Sequence, residues 1–359
     1  MSGFDIVLLR LQNQHLLSPE FKNPAEIVAY LGAVQAQDYA GAKWAIAQRL
    51  LNGNDPLIEK AFTGGEIIRT HVLRPTWHFV SPADIRWMLD LTAEKIMHLS
   101  AYYHREAGLD SSIFIKSANA ITKALEGGKQ LDRTELINIL NKAGIATNYQ
   151  RFIHIMMVLE LQKLVCSGGR QGKQFTYALF DERVPAAKSL TREEALATLA
   201  LRYFTSHGPA TVYDFAWWSG LTVTDAKSGL ETVKSNLISE VFENNIYWFT
   251  DNERPGVKTV PAFLLPNYDE YIVSYKDRSA AIESKNVIKA DPRGTIFNHT
   301  IIINGKVEGI WKAILKKSNM ELVIDPFKSF TKKDTRKIEL ACKNYVKFSG
   351  LKNYIITYK

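Results

Sequence analysis

Cysteine is nearly absent from this sequence of 359 residues, which holds only Cys166 and Cys342. The two lie far apart, and neither has a Cys or His neighbour at metal-ligand spacing. Disulfide frameworks, structural zinc sites and iron–sulfur clusters all need several such residues. We therefore expect no disulfide, no metal and no cofactor, and a reducing cytoplasm as the location of the protein.

Long apolar runs are also lacking. No window approaches the roughly 20 apolar residues of a membrane-spanning helix, and the first residues lack the basic and apolar stretches of a secretion signal. We find no glycine-rich phosphate loop, no pair of metal-binding histidines on a helix and no serine–histidine–aspartate signal. These absences disfavour a membrane protein, a nucleotide hydrolase, a metalloenzyme and a serine hydrolase.

An excess of positive charge is found only near the end of the chain. Residues 1–300 hold 32 Lys or Arg against 32 Asp or Glu, whereas residues 301–359 hold 13 against 5, the whole net charge of +8. A one-sided basic segment suits a polyanion such as DNA, because binding releases the counterions of the phosphates. A lysine-rich face that only keeps the protein soluble explains this feature equally well.

Helices followed by a short hairpin are predicted three times, within residues 1–125, 126–188 and 189–260. The predicted hairpins cover residues 66–80, 164–179 and 239–250, and the last of them has an Asn244–Asn245 turn. Helix, turn, helix and hairpin is the winged-helix order. No low-complexity linker separates the segments, so we expect them to pack as one rigid body.

The last segment, residues 261–359, is rich in predicted strands. Asn304–Gly305 is a strong hairpin turn signal between strands over 300–303 and 306–315. A further strand over 321–324 and a basic helix over 333–348 complete this segment. The predicted fold class is α+β, with tandem winged-helix motifs (helix-turn-helix plus β-hairpin), a C-terminal β-rich segment and a closing basic helix.

Five short stretches go further than composition and element order. They are Val34–Asp38, Arg69–His78, Gly208–Leu221, Leu264–Arg278 and Gly305–Trp311. Together, and in this order, they resemble the winged-helix DNA glycosylases of the AlkZ/YcaQ family over nearly the whole chain. The resemblance implies a monofunctional DNA repair glycosylase that acts on damaged double-stranded DNA, with interstrand crosslinks among the substrates.

The resemblance also implies the catalytic residues. One branch of the family carries Gln-x-Gln and the other Gln-x-Asp, and Gln35-Ala36-Gln37 looks like the first, with Gln35 and Gln37 as the catalytic pair. In a helix these positions point about 200° apart. We therefore predict that the helix ends near Ala36 and the backbone becomes extended, helped by Asp38 and Gly41. Without the resemblance, Gln35 reads as a hydrogen-bonded core amide and Gln37 as a surface residue.

Glutamine in this role predicts the kind of substrate. A purine alkylated at N7 or N3 already carries a positive charge, so it leaves without a general acid. The site must then orient a water and stabilise an oxocarbenium-like sugar, and an amide carbonyl does both through its dipole. We therefore expect selectivity for cationic alkylated purines over uncharged lesions such as uracil.

Several basic or histidine side chains are candidates for contact with DNA. On the first hairpin, alternation would place four of them in a cationic row on one face, although structural residues of a half-exposed strand fit equally well. The others lie on later hairpins, with plain solubility as the alternative. The candidates are Arg69, His71, Arg74 and His78 on the first hairpin, Arg170 and Lys173 on the second, and Lys306 and Lys312 on the Asn–Gly hairpin.

Aromatic and acidic residues of two other stretches leave alternatives open. One carboxylate of Asp269 and Glu270 would assist the attacking water, or both belong to a buried salt-bridge network. The pair Trp217–Trp218 fits core packing better than base stacking.

A non-enzymatic winged-helix transcriptional regulator is the alternative to the glycosylase, and a protein-interaction module is a third reading. A regulator of this type dimerises on a two-fold DNA site. The sequence offers no dimer helix or coiled coil, so we expect a monomer.

Overall fold

The described residues form helices and mainly antiparallel strands, which confirms the α+β part of the predicted fold class. A computed structural model describes residues 5–251, 259–294, 297–316 and 319–359. The end of the third predicted segment includes residues 252–258, which lie outside the described residues. Within the described ranges, every helix is too short or too polar to cross a membrane.

The first part of the chain builds a small three-stranded sheet among helices. Asn23 caps α2 by accepting from the Ala25 N–H at 2.8 Å, and Pro24 occupies the first helical position. The sheet has the strand order β1-β3-β2. The elements are α1 (Ile6–Asn13), α2 (Pro24–Leu31), β1 (Val34–Gln35), α3 (Tyr39–Ala47), α4 (Asp55–Gly64), β2 (Ile68–His71) and β3 (Trp77–Val80).

The same order of helix, strand, two helices and hairpin follows a long helix, α5 (Ile85–Glu106). The second sheet has the order β4-β6-β5, equivalent to the first. The helix α6 packs with α7 and α8 around Ile121, Leu136 and Phe152. The elements are α6 (Ser111–Leu125), β4 (Leu131–Asp132), α7 (Arg133–Lys142), α8 (Tyr149–Leu161), β5 (Val165–Gln171), β6 (Gln174–Leu179) and α9 (Phe180–Arg183).

A third occurrence of this order has only a bridge, Ala210 with Trp248, in place of the first strand. Its hairpin turn differs from the prediction. Glu243 and Asn244 take the left-handed conformation, with φ of 48° and 62°, and Asn245 begins the second strand. The elements are α10 (Arg192–Ser206), α11 (Val212–Ser219), α12 (Val223–Val233), β7 (Ile238–Phe242) and β8 (Asn245–Phe249).

The last segment forms a five-stranded sheet of order β13-β12-β11-β10-β9. The Asn304–Gly305 turn is confirmed by φ values of 49° and 78°, and the basic helix ends at Gly350 as predicted. The final strand, β13, was not predicted. The elements are β9 (Ala262–Leu265), α13 (Glu270–Val273), α14 (Val287–Ala290), β10 (Thr300–Ile303), β11 (Lys306–Lys316), β12 (Asn319–Pro326), α15 (Lys332–Ser349) and β13 (Asn353–Tyr358).

The first and last segments share one hydrophobic core. Val34 and Phe79 of the first sheet belong to the same buried cluster as Leu264 and Ile338. The Trp44 indole N–H also donates to the Leu264 carbonyl at 2.6 Å. This shared core brings the chain after β9 against the strand that carries Gln35, while packing of all segments as one rigid body stays a prediction.

Gly220 is required where α11 meets the β2–β3 loop. It ends α11 with φ of 70°, and an added Cβ would lie 2.1 Å from the Leu73 carbonyl oxygen. Gly127 has a similar φ of 79°, but its added Cβ would meet nothing within 4 Å. Gly127→Ala therefore carries only conformational strain, whereas Gly220→Ala adds a steric clash with backbone.

We expect Gly127→Ala to lower the free energy of unfolding by about 1–2 kcal/mol. Gly220→Ala should lower it by about 3 kcal/mol or more, because overpacking adds to the strain. Urea unfolding of both variants tests this difference. Equal losses would contradict the close packing of α11 on the loop.

Candidate active site

The backbone at Gln35 is extended, as predicted, whereas Gln37 lies in a bend just before α3. The helix α2 ends at Leu31, earlier than the expected end near Ala36, because Gly32 takes φ of 83°. The strand β1 follows directly, and Asp38 caps α3 by accepting from the Gly41 N–H at 3.2 Å. Gln35 is buried, whereas Gln37 is exposed, so the convergence of the two side chains on one point stays a prediction.

Glu270 holds the main chain of Gln35. Its Oε1 accepts the Gln35 N–H at 2.7 Å, and its Oε2 accepts from the Trp218 indole at 3.1 Å and from the Ser274 hydroxyl. The side chain is fully buried. Burial would raise the pKa of Glu270, but His207 nearby and the donors from Ser274 and Gln35 outweigh it and hold the pKa at about 2. The carboxylate is therefore charged at neutral pH.

Arg74 holds the side chain of Gln35. Its Nη2 donates to Gln35 Oε1 at 2.9 Å, and its Nη1 donates to the Trp218 carbonyl. Because a guanidinium only donates, the amide oxygen of Gln35 must be the atom that faces it. Burial lowers the pKa of Arg74, and the charge of Glu270 opposes that shift.

His78 completes this group as a neutral side chain. Its Nδ1 lies 2.9 Å from the Thr76 carbonyl oxygen and so carries the proton, which leaves the Nε2 lone pair facing Arg74 Nη2 at 3.4 Å. Burial and the charge of Arg74 lower the pKa of His78 to about 3. His78 is paired with Gln35 across the β1–β3 ladder.

Gln37 is exposed, and its Oε1 accepts the Trp77 N–H at 3.3 Å. The β2–β3 hairpin thus orients both amides, through Arg74 for Gln35 and through Trp77 for Gln37. Each carbonyl oxygen accepts one of these bonds and has a second lone pair for another donor. A water molecule is such a donor.

The two adjacent carboxylates have different surroundings. Asp269 forms a bidentate salt bridge with Arg49, at 2.8 and 3.0 Å, and both side chains are fully buried. The expected buried network is therefore present at Asp269, whereas Glu270 contacts the Gln35 segment. Both carboxylates are buried, and assistance to the attacking water by either of them stays a prediction.

The expected single cationic row on the first hairpin is wrong. The β2 strand is buried throughout, and strand alternation puts Arg69 and His71 on the face opposite His78. Arg69 donates to the Ala36 carbonyl at 3.1 Å, and His71 Nδ1 lies 2.6 Å from a Glu160 carboxylate oxygen. These side chains are committed to contacts inside the protein.

The later candidates divide into two pairs. Arg170 contacts Glu59 at 3.4 Å, and Lys306 donates to the Ala280 carbonyl at 2.6 Å. Both side chains, expected to face DNA, therefore already have partners within the protein. Lys173 and Lys312 are exposed. Contact of all four with phosphates stays a prediction.

Sequence reasoning missed the buried groups that support the site. Arg49 gave no signal because its partner Asp269 lies 220 residues away. Trp218 and Ser274 lie within the stretches that carry the family resemblance, but nothing in their spacing indicated that both contact Glu270.

The residues that the structure describes hold no group of three or more His, Cys, Asp or Glu side chains suited to a metal.

The matching family model identifies the class of protein as a DNA glycosylase. It is described as DNA glycosylase AlkZ-like and matches residues 28–348, a range that includes Gln35, Arg74, His78 and Glu270. The chain belongs to this AlkZ-like family.

Two comparisons with a Streptomyces sahachiroi protein agree with this family. An interstrand DNA cross-link repair glycosylase of that organism is 21% identical over 95% of both chains. The solved structure of the S. sahachiroi DNA glycosylase AlkZ is similar in fold, with a TM-score of 0.81 at 19% identity over 99% of this chain and 98% of that chain.

The neutral state of His78 predicts a pH dependence of stability. Its pKa is about 3 in the folded protein against 6.5 ordinarily, so the unfolded chain binds one more proton between these values. The contribution of neutral His78 to the free energy of unfolding is therefore complete above the ordinary pKa and is lost as the pH falls toward 3.

Between about pH 6 and pH 4, the free energy of unfolding of the wild type falls as the pH is lowered. We expect this slope to be smaller in His78→Asn, by up to about 1.4 kcal/mol per pH unit. The slope is the readout, because the substitution also alters stability at neutral pH. Urea unfolding over this range measures it. An unchanged slope would show that His78 is not held neutral.

Proposed function

We propose that this protein is a DNA repair glycosylase that hydrolyses the N-glycosidic bond of cationic alkylated purines. Family membership supports the reaction class. The observation that carries the substrate proposal is the pair of glutamine carbonyls oriented by Arg74 and by the Trp77 N–H. They offer acceptor oxygens but no acid, which suits a base that leaves without protonation.

The proposed mechanism is electrostatic. The carbonyl oxygens of Gln35 and Gln37 accept from the attacking water and place negative dipole ends near the positive charge that develops on the sugar. The cationic Arg74 alone would oppose that charge. The buried carboxylate of Glu270 offsets it, so that Arg74 orients Gln35 without making the site net positive.

We further propose that the enzyme is monofunctional. A lyase needs an amine that forms a Schiff base with the sugar. Lys43, the lysine closest in sequence to the glutamine pair, is held by Asp55 at 2.8 Å and by Glu59 at 2.7 Å, and its side chain is only 6% exposed. These ion pairs leave Lys43 poorly placed as a nucleophile.

The three units of helices and a hairpin are proposed to be winged helices that bind damaged duplex DNA, with the basic last segment adding attraction for phosphates. The S. sahachiroi relative is named an interstrand DNA cross-link repair glycosylase. This name supports the proposal that crosslinks are substrates. A cytoplasmic monomer remains our expectation.

The direct test is release of base from a duplex that carries one N7-methylguanine, scored by alkaline cleavage of the abasic strand. We expect Gln35→Ala and Gln37→Ala to lower the single-turnover rate by about tenfold or more while the fold is retained. Gln48→Ala, at the C-terminal cap of α3, is the matched control.

Two outcomes would contradict the proposed function. One is tight duplex binding by the wild type with no release of this base or of a bulkier N7 adduct. The other is robust release of uracil, an uncharged base that a site without an acid should excise slowly.

A further inference from the structure

Two aromatic side chains face solvent on α11, next to the glutamine site. Tyr213 and Trp217 are four residues apart on one face of the helix, and they are 48% and 45% exposed. Trp218, the next residue, is fully buried and contacts Glu270. The expectation that the Trp217–Trp218 pair fills the core therefore holds only for Trp218.

The exposed indole of Trp217 is held in place. Its ring N–H donates to the Val273 carbonyl at 3.1 Å, which fixes the ring while leaving nearly half of it in contact with water. An aromatic ring fixed in this way loses little entropy when a base or a sugar packs on it. This restraint distinguishes Trp217 from an ordinary exposed hydrophobic residue.

Two cations lie beside the rings. The ammonium group of Lys276 is 5.9 Å from the centre of the Tyr213 ring, and the guanidinium carbon of Arg278 is 5.5 Å from the Trp217 ring. Asp277 lies between them in sequence, and two cations against one carboxylate leave the tripeptide with a net positive charge. Aromatic rings with cations beside them match a nucleic-acid strand, because rings pack on bases and sugars while cations contact phosphates.

This surface is joined to the glutamine site by direct contacts. The carbonyl of Trp218 accepts from Arg74, whose other nitrogen holds Gln35. Val273, which accepts from Trp217, lies on the same short helix as Glu270. A strand whose damaged nucleotide sits at Gln35 therefore lies within reach of Trp217.

We propose that Tyr213, Trp217, Lys276 and Arg278 form a DNA-contact surface that binds the lesion-bearing strand beside the glutamine site. The rings pack against a base or sugar of a neighbouring nucleotide, and Lys276 contacts a phosphate. The inference rests on the proposed function for its choice of occupant. The inference adds a binding surface that is separate from the catalytic pair.

Binding of an undamaged fluorescent duplex, measured by anisotropy over a range of salt concentrations, tests the surface without catalysis. Trp217→Leu should weaken the affinity by about fivefold or more. Lys276→Gln should lower the slope of log affinity against log salt by about 0.9, the effect of one phosphate contact. Matched controls are Tyr102→Leu on α5, where the ring is 58% exposed, and Lys142→Gln, also exposed.

Single-turnover release of N7-methylguanine by the wild type is measured alongside the binding, so that the two proposals are judged separately. Affinities and salt slopes equal to those of the controls would overturn the proposal. A wild type that binds duplex but releases no base would contradict the proposed function, while the binding comparison would still decide this inference.

Discussion

The position of the site depends on two adjacent buried carboxylates, each of which binds a different residue of the first segment. Asp269 is fixed by the guanidinium of Arg49 at the base of the first segment, and the next residue, Glu270, accepts the main-chain N–H of Gln35. A buried charge is tolerated only when donors satisfy it, so loss of either partner is costly. Because the two carboxylates are adjacent in the chain, together they fix the glutamine strand relative to the last segment.

A second consequence concerns charge. Arg74 brings a positive charge beside Gln35, in a site where a positive charge is proposed to develop on the sugar. Glu270 balances it, and His78 adds no charge because burial keeps it neutral. The local environment is thus polar but close to neutral overall. Such an environment lets fixed dipoles, rather than proton transfer, carry the stabilisation.

Local signals in the sequence predicted local structure well. The Asn304–Gly305 turn and the end of the last helix at Gly350 depend on conformations that only a few residue types adopt. The extended backbone at Gln35 was predicted from the paired catalytic role that the family resemblance implies for Gln35 and Gln37, and not from a local signal. The short edge strand β13 was missed, because its residues are mostly exposed and its parallel partner is distant in sequence.

Long-range contacts were not predictable in the same way. Arg69 is bound by the Ala36 carbonyl and His71 by Glu160, and Arg49 pairs with Asp269. Each of these partners is distant in sequence. Arg74 was expected to contact DNA, yet it contacts Gln35. A double-mutant cycle of Arg74→Met and Gln35→Ala, measured as single-turnover base release, separates these roles most directly. If Arg74 acts through Gln35, the double variant will be about as slow as Gln35→Ala alone. Rate losses that multiply would contradict this account and return Arg74 to independent contact with DNA.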